Sequence, residues 1–187
     1  MKTNGKKTPI LGFIAPSGTG KTTLLEKLIP KLTAHQLRIG VIKSTHHHFD
    51  IDKPGKDSYR LRQAGASQTI IASHQRWALV TENPKNQTPP NLHHLVSSLD
   101  CSQIDLILVE GFKEADIPRI ELHRTSVNND TYLYPNDENI IAIATDCREL
   151  PQPTNITHID INNIDAMTDF ILQRLSHWST SKTLTTS

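Results

Sequence analysis

The sequence predicts an α/β fold: a mostly parallel open sheet with helices on both faces, extended by an antiparallel β-hairpin. Three observations predict it. Apolar runs of strand length alternate with segments of helical spacing over residues 9–175, the pattern of parallel strands joined by crossover helices. The first of these runs leads directly into Ala15-Pro16-Ser17-Gly18-Thr19-Gly20-Lys21-Thr22-Thr23, a glycine-containing loop between a strand and a helix. Two further strand-like runs, 67–73 and 76–82, have only His74 and Gln75 between them, which is hairpin spacing.

Residues 9–15 (PILGFIA) are nearly all apolar, as a strand buried on both faces requires. Residues 21–36 place Leu24, Leu25, Leu28 and Leu32 on one helical face. Pro30 removes a backbone donor there, so the helix is expected to kink or end near Ile29. Residues 38–43 (RIGVIK) read as the second strand, and the connection has the length of a right-handed βαβ crossover. A polar loop, 44–56, follows. Asp57 is placed to cap a helix running to Ala64, with Gly65 at its C′ position. The hairpin is expected at a sheet edge. Residues 83–90 read as a turn-rich linker and 91–99 as a short helix carrying His93 and His94 on its surface.

The second half repeats the alternation. Residues 105–111 (DLILVEG) form an apolar strand. Residues 119–124 (RIELHR) alternate, which predicts a strand with one wet face. Residues 126–139 read as a polar loop insertion, 140–145 (IIAIAT) as a buried strand and 156–161 as a weaker one. Ile164, Met167, Phe170, Ile171 and Leu175 share a face of a closing helix. This divides the chain into a flexible segment 1–8, one nucleotide-binding domain over 9–175, and a frayed tail 176–187.

Composition narrows the function classes. The formal net charge of +1 argues against a general nucleic-acid binder, which carries a strong basic excess. No stretch approaches the roughly 20 apolar residues of a membrane span, and the lysine-bearing start has no signal-peptide core. Two well-separated cysteines, Cys101 and Cys147, share no metal-ligand spacing and suit a reducing compartment. A cytoplasmic protein with no membrane and no nucleic-acid partner is expected.

The loop carries the chemistry. Its pattern is that of a phosphate-binding loop, with Ala15 in place of the usual first glycine. Gly18 and Gly20 let the backbone curl so that N–H groups converge on an anion. The helix start adds partial positive charge. Pro16, Ser17, Gly18, Thr19, Gly20, Lys21, Thr22 and Thr23 are thus expected around the phosphates, with Lys21 on the β- and γ-phosphates and the Thr22 hydroxyl on Mg²⁺. Ala15 adds one methyl group, tolerable if its φ is negative.

Further candidates lie at strand ends. Glu110-Gly111 closes a central strand where ligands bind in open α/β sheets, so Glu110 can hold Mg²⁺ through water or orient an attacking water. It can equally mark the strand's exit into solvent. Lys43, Lys53, Lys56, Arg60 and Arg62 interleave with Asp50, Asp52 and Asp57 after the second strand. This stretch reads either as a switch ordered by phosphate, with Lys53 and Lys56 as cationic contacts and Asp57 beside them, or as a solvated loop. His46, His47 and His48 invite a metal hypothesis, though adjacent residues rarely ligate one ion together. Asp146 follows a later strand and can accept from guanine's N1–H and 2-amino group. A turn or cap role fits it as well.

Longer stretches carry a closer resemblance: residues 17–30 (SGTGKTTLLEKLIP), 42–66 (IKSTHHHFDIDKPGKDSYRLRQAGA), 70–79 (IIASHQRWAL) and 105–113 (DLILVEGFK). In these the chain resembles the molybdopterin-guanine dinucleotide biosynthesis protein B (MobB) family, over about residues 9–175. That family is similar to metallochaperone-type P-loop GTPases and to dethiobiotin synthetase. The resemblance implies a homodimer that binds GTP and Mg²⁺ and is at most a weak GTPase. It implies an adapter role beside the guanylyltransferase (MobA) that attaches GMP to molybdopterin, with molybdopterin or its molybdenum form as a further partner. A nickel-type metallochaperone GTPase and a small-molecule kinase or ligase are the competing readings. The family stretches have no counterpart in either.

Overall fold

The computed structural model describes residues 7–45, 50–83, 91–128, 131–151 and 155–180. Its larger unit takes in Met1–Ser44 and Leu92–Ser187, its smaller one Thr45–Asn91. The larger unit is built on six parallel strands: β1 (Ile10–Ile14), β2 (Ile39–Lys43), β5 (Leu106–Glu110), β6 (Arg119–His123), β7 (Ile140–Thr145) and β8 (Thr157–Asp160). Their order across the sheet is β2-β5-β1-β6-β7-β8. The chain leaves β1 toward one side for β2 and β5, then crosses to the other for β6, β7 and β8. β1 is therefore the switch point of the sheet, and the crevice at its carboxyl end is where open α/β sheets bind ligands.

Side chains two apart along each strand share a face, and each face has its own cover. Leu11, Phe13, Leu106, Leu108, Ile120, Leu122, Ala142 and Ala144 pack under α1 (Lys21–Ala34) and α5 (Ile164–Thr180). From the helices come Leu24, Leu25, Leu28, Leu32, Met167, Phe170 and Ile171. On the other face Ile42, Ile107 and Val109 meet Leu92 of the short helix α3 (Leu92–Ser97), while Ile14 and Ile143 meet Tyr134.

The helix α1 does not end at Ile29. Pro30 lies inside it and the helix runs to Ala34, because Leu28 and Leu32 on either side of the proline are both fully buried. Core packing there outweighs one missing backbone bond. α5 likewise runs past 176 to Thr180; the remainder of the expected tail, and residues 1–6, lie outside the described residues.

The expected wet face of β6 is a second correction. All five of its residues are buried, because β6 lies between β1 and β7 and residues 132–137 of the insertion cover its polar side. Glu121 accepts from the amides of Leu133 and Tyr134, each at 2.8 Å. The Arg119 guanidinium donates to the carbonyls of Lys113 and Ala115 and pairs with Asp137 at 3.3 Å. His123 Nδ1 shares a hydrogen bond with Thr145 Oγ1 (2.9 Å), and its ring stacks on Tyr132 at 4.1 Å. The alternation is real. What covers it is a loop rather than water, and that loop carries α4 (Thr125–Asn128) and a 3₁₀ turn, Tyr134–Asn136.

In the smaller unit α2 (Asp57–Gln63) packs on β3 (Gln68–Ala72), which pairs with β4 (Trp77–Thr81). Asp57 is the first helical residue rather than its cap, which is Lys56; no side chain closes that end. Gly65, at φ 112°, takes the expected left-handed position past the C-terminus. The antiparallel hairpin is confirmed, with Ile70 opposite Leu79 and Ala72 opposite Trp77. It forms a sheet of two strands rather than an edge of the large one. Arg62 ties this unit together: its side chain is 8% exposed, and its guanidinium pairs with Asp50 at 2.6 Å and Glu82 at 2.7 Å.

Candidate phosphate-binding site

The carboxyl end of β1 delivers the chain into the loop, and α1 begins at Lys21. Gly20 stands at the helix N-cap with φ 95° and no side chain caps the helix. A side chain at that φ is strained, so glycine is needed for the turn. The first amides of an uncapped helix lack intrahelical acceptors, and an oxyanion satisfies them. Ala15 is buried and is not among the described residues with positive φ, which is the condition its extra methyl group required.

Lys21 folds back over the loop. Its Nζ donates to the carbonyls of Ala15 at 2.8 Å and Pro16 at 3.0 Å. Burial holds this ammonium below the usual lysine range; Glu110 opposes the shift, and the charges of Lys113 and Lys43 add to it. Pro16, Ser17, Gly18, Thr22 and Thr23 are exposed along the loop and helix start, whereas Thr19 is fully buried and bonds its hydroxyl to the Pro16 carbonyl at 3.1 Å. Thr19 thus shapes the loop from beneath.

Beside the loop stand β2 and β5, whose last residues, Lys43 and Glu110, are register partners. Lys43 Nζ lies 3.0 and 3.2 Å from the two Glu110 oxygens and 3.3 Å from Thr22 Oγ1. Thr22 Oγ1 in turn lies 3.5 Å from Glu110 Oε2. Gly111 follows with φ 102°, and a Cβ there would meet Ser44 Cβ at 2.7 Å, so only glycine lets β2 and β5 exit this close together. A carboxylate and a hydroxyl side by side form the oxygen donor set that hard divalent cations take. A lysine with uncapped helix amides suits phosphate. Both groups implied by the sequence therefore fit the residues present.

The structure also adds residues that pattern reading passed over. Arg124, just after β6, donates from Nε to the Thr19 carbonyl at 3.2 Å and from both terminal nitrogens to Asn162 Oδ1. A charged residue at the end of a central parallel strand was the available signal, the same one that marks Glu110. The neighbouring Thr125 gives its amide and hydroxyl to Asp146 Oδ1, each at 2.9 Å. The amide bond from Thr125 lowers the Asp146 pKa, burial opposes this, and the Thr125 hydroxyl reinforces it. Asp146 thus holds a turn. It also lines a polar cleft of about 320 Å³ with Thr145, Cys147, Arg148, His158, Asp160 and Asn162, off the ends of β7 and β8.

Lys21, Thr22, Glu110 and Gly111 are brought together, and Asp146 connects to the loop through Thr125 and Arg124. Lys53, Lys56 and Asp57 are exposed residues of the smaller unit. His46, His47 and His48 lie outside the described residues; among those described, no three His, Cys, Asp or Glu side chains gather as a metal site. Among them too, no helix is long and apolar enough to cross a membrane.

Comparison with known proteins places this geometry. A family model described as molybdopterin guanine dinucleotide synthesis protein B matches residues 10–146. The molybdopterin-guanine dinucleotide biosynthesis adapter protein of Escherichia coli (strain K12) is 50% identical over 165 residues, 88% of this chain and 92% of the relative. Its namesake in Haemophilus influenzae is 46% identical over 91% of each chain. The crystal structure of Bacillus subtilis MobB superposes with a TM-score of 0.67 at 23% identity, over 89% of this chain and 97% of that one, a likeness of fold. A phosphate loop at the switch point of a parallel sheet, a family match that runs from β1 through β7 and relatives 50% and 46% identical over the aligned residues agree: the chain belongs to the molybdopterin guanine dinucleotide synthesis protein B (MobB) family.

Proposed function

We propose that this chain is a GTP-binding adapter in molybdenum cofactor biosynthesis, working with the guanylyltransferase that forms molybdopterin guanine dinucleotide and turning over GTP weakly at most. The phosphate loop carries the reading. Its lysine rests on two carbonyls of its own loop, partners that a phosphate, as a charged acceptor, exceeds in strength. Lys21 then binds the β- and γ-phosphates, the α1 amides cradle them, and Thr22 with Glu110 holds Mg²⁺. When bound, that ion neutralises phosphate charge. Glu110 is ion-paired to Lys43, an arrangement that suits holding a ligand better than abstracting a proton.

The relatives' description as adapters supports the partner reading. Lys53, Lys56 and Arg60, exposed in the smaller unit, are proposed as cationic contacts to phosphate of GTP or of molybdopterin, with Asp57 beside them in sequence. The exposed face of the hairpin, with Ile70, Trp77 and Leu79, is proposed as the contact with a second copy. Two free cysteines fit residence in the reducing cytoplasm.

Lys21→Ala tests the core of this. Losing a charge-assisted hydrogen bond costs roughly 1.5–3 kcal/mol, so GTP·Mg²⁺ binding should weaken about ten- to a hundredfold in calorimetric titration. Capture of the guanylyltransferase by the wild type should strengthen with GTP and molybdopterin. Equal GTP affinity in the variant overturns the phosphate-loop assignment.

A further inference from the structure

At the mouth of the phosphate loop one ammonium group occupies the oxygens that a divalent cation needs. Lys43 Nζ contacts Glu110 Oε1, Glu110 Oε2 and Thr22 Oγ1 at 3.2, 3.0 and 3.3 Å. A lysine ammonium has three N–H donors and no acceptor, so these three oxygens use its full capacity. The Glu110 side chain is 13% exposed and that of Lys43 52%. The carboxylate is therefore held in place, whereas the lysine comes in from solvent on a flexible stem. Pairing in the parallel ladder sets the two side by side.

We propose that Lys43 is a tethered counter-cation that competes with the divalent metal for Thr22 and Glu110, so that metal capture depends on nucleotide. This rests on the phosphate-loop reading above. Two cations cannot share the same three oxygens, so a metal ion arriving alone must displace the ammonium and leave it without its partners. Arriving with a nucleoside triphosphate, the metal gains phosphate oxygens, and the displaced ammonium gains a phosphate partner within reach of its stem. The ion pair thus opposes metal binding alone and not metal binding with nucleotide, which couples the two ligands. By reciprocity, nucleotide affinity rises with metal by the same factor.

The test measures Mn²⁺ binding by electron paramagnetic resonance, with and without GTP, in wild type, Lys43→Met, Lys43→Gln and Lys43→Arg, each checked for fold by circular dichroism. Removing a half-exposed competing cation should tighten Mn²⁺ binding in the absence of GTP by about two- to fivefold in the Met and Gln variants. The factor by which GTP strengthens Mn²⁺ binding should shrink equally, and Lys43→Arg should behave as wild type. Mn²⁺ affinity without GTP that is unchanged or weaker in both neutral variants overturns the proposal. Glu110→Gln in the Lys43→Met background separates the two levels: it should lower Mn²⁺ affinity. If it does not, the metal site itself is refuted, and the role of Lys43 with it.

Discussion

Arg124 donates from Nε to the carbonyl of Thr19 across 3.2 Å, so the exit of β6 holds the phosphate loop from the side opposite β2. The same guanidinium bonds Asn162 beyond β8. One side chain therefore links the loop to the far edge of the sheet.

Arg124→Ala should loosen the Thr19–Gly20 peptide and disorder the converging amides. A hydrogen bond contributes about 1 kcal/mol, so GTP affinity should fall roughly fivefold. Asn162→Ala, which leaves the bond to Thr19, should change it less. Titration calorimetry decides, and equal affinities for all three proteins would show that the loop holds its shape without this tether.

Glu121 offers one oxygen to each of two loop amides. In Glu121→Gln one amide faces an NH₂ group instead, which should cost about 1–3 kcal/mol in urea unfolding. Burial pushes the Glu121 pKa up, with the Leu133 and Tyr134 amides opposing. The folded carboxyl therefore keeps its proton to higher pH than the unfolded one does. As pH rises through the ordinary glutamate range the unfolded chain loses its proton first, and the stability Glu121 contributes falls. The gap between wild type and Glu121→Gln should thus be widest at low pH and narrow toward neutrality. A gap that widens with pH would show that the two amides outweigh burial.

Asp146→Asn separates the turn from the proposed base contact. The asparagine Oδ1 can keep both bonds from Thr125, so the turn survives, while Nδ2 replaces the other oxygen. If Asp146 accepts guanine's two donors, GTP affinity should fall by about 1.5–3 kcal/mol, and xanthosine triphosphate, whose 2-oxo group accepts from the new amide, should bind better. Unchanged GTP binding in calorimetry would leave Asp146 a turn residue alone.

Trp77 is 69% exposed on the hairpin face it shares with Ile70 and Leu79. This is the face proposed above as the contact with a second copy, since burying exposed apolar side chains favours association. Light scattering at micromolar concentration should give twice the chain mass for wild type, and the single chain mass for Trp77→Glu. A wild-type monomer would remove the hairpin from the assembly reading.

What the sequence by itself determined was local. The parallel strands, α1 and its leucine face, the hairpin and the phosphate loop were all legible, because apolar period and glycine placement are properties of adjacent residues. Glu110 was singled out the same way, from its place at the end of an apolar strand. Only the tertiary structure decided what those residues meet. Pro30 stays helical because Leu28 and Leu32 are buried beneath α1. Arg119, Glu121 and His123 look like a wet face in sequence, and they are dry because the insertion supplies two amides, a carboxylate and a stacked ring from up to 18 residues away, the segment before β6 supplies two carbonyls, and the neighbouring strand supplies Thr145. Lys43 meets Glu110 across 67 positions, and Arg124 meets Thr19 across 105. A hydrogen bond depends on distance in space, and periodicity along the chain reports only which face a residue is on, never which partner the fold brings to it.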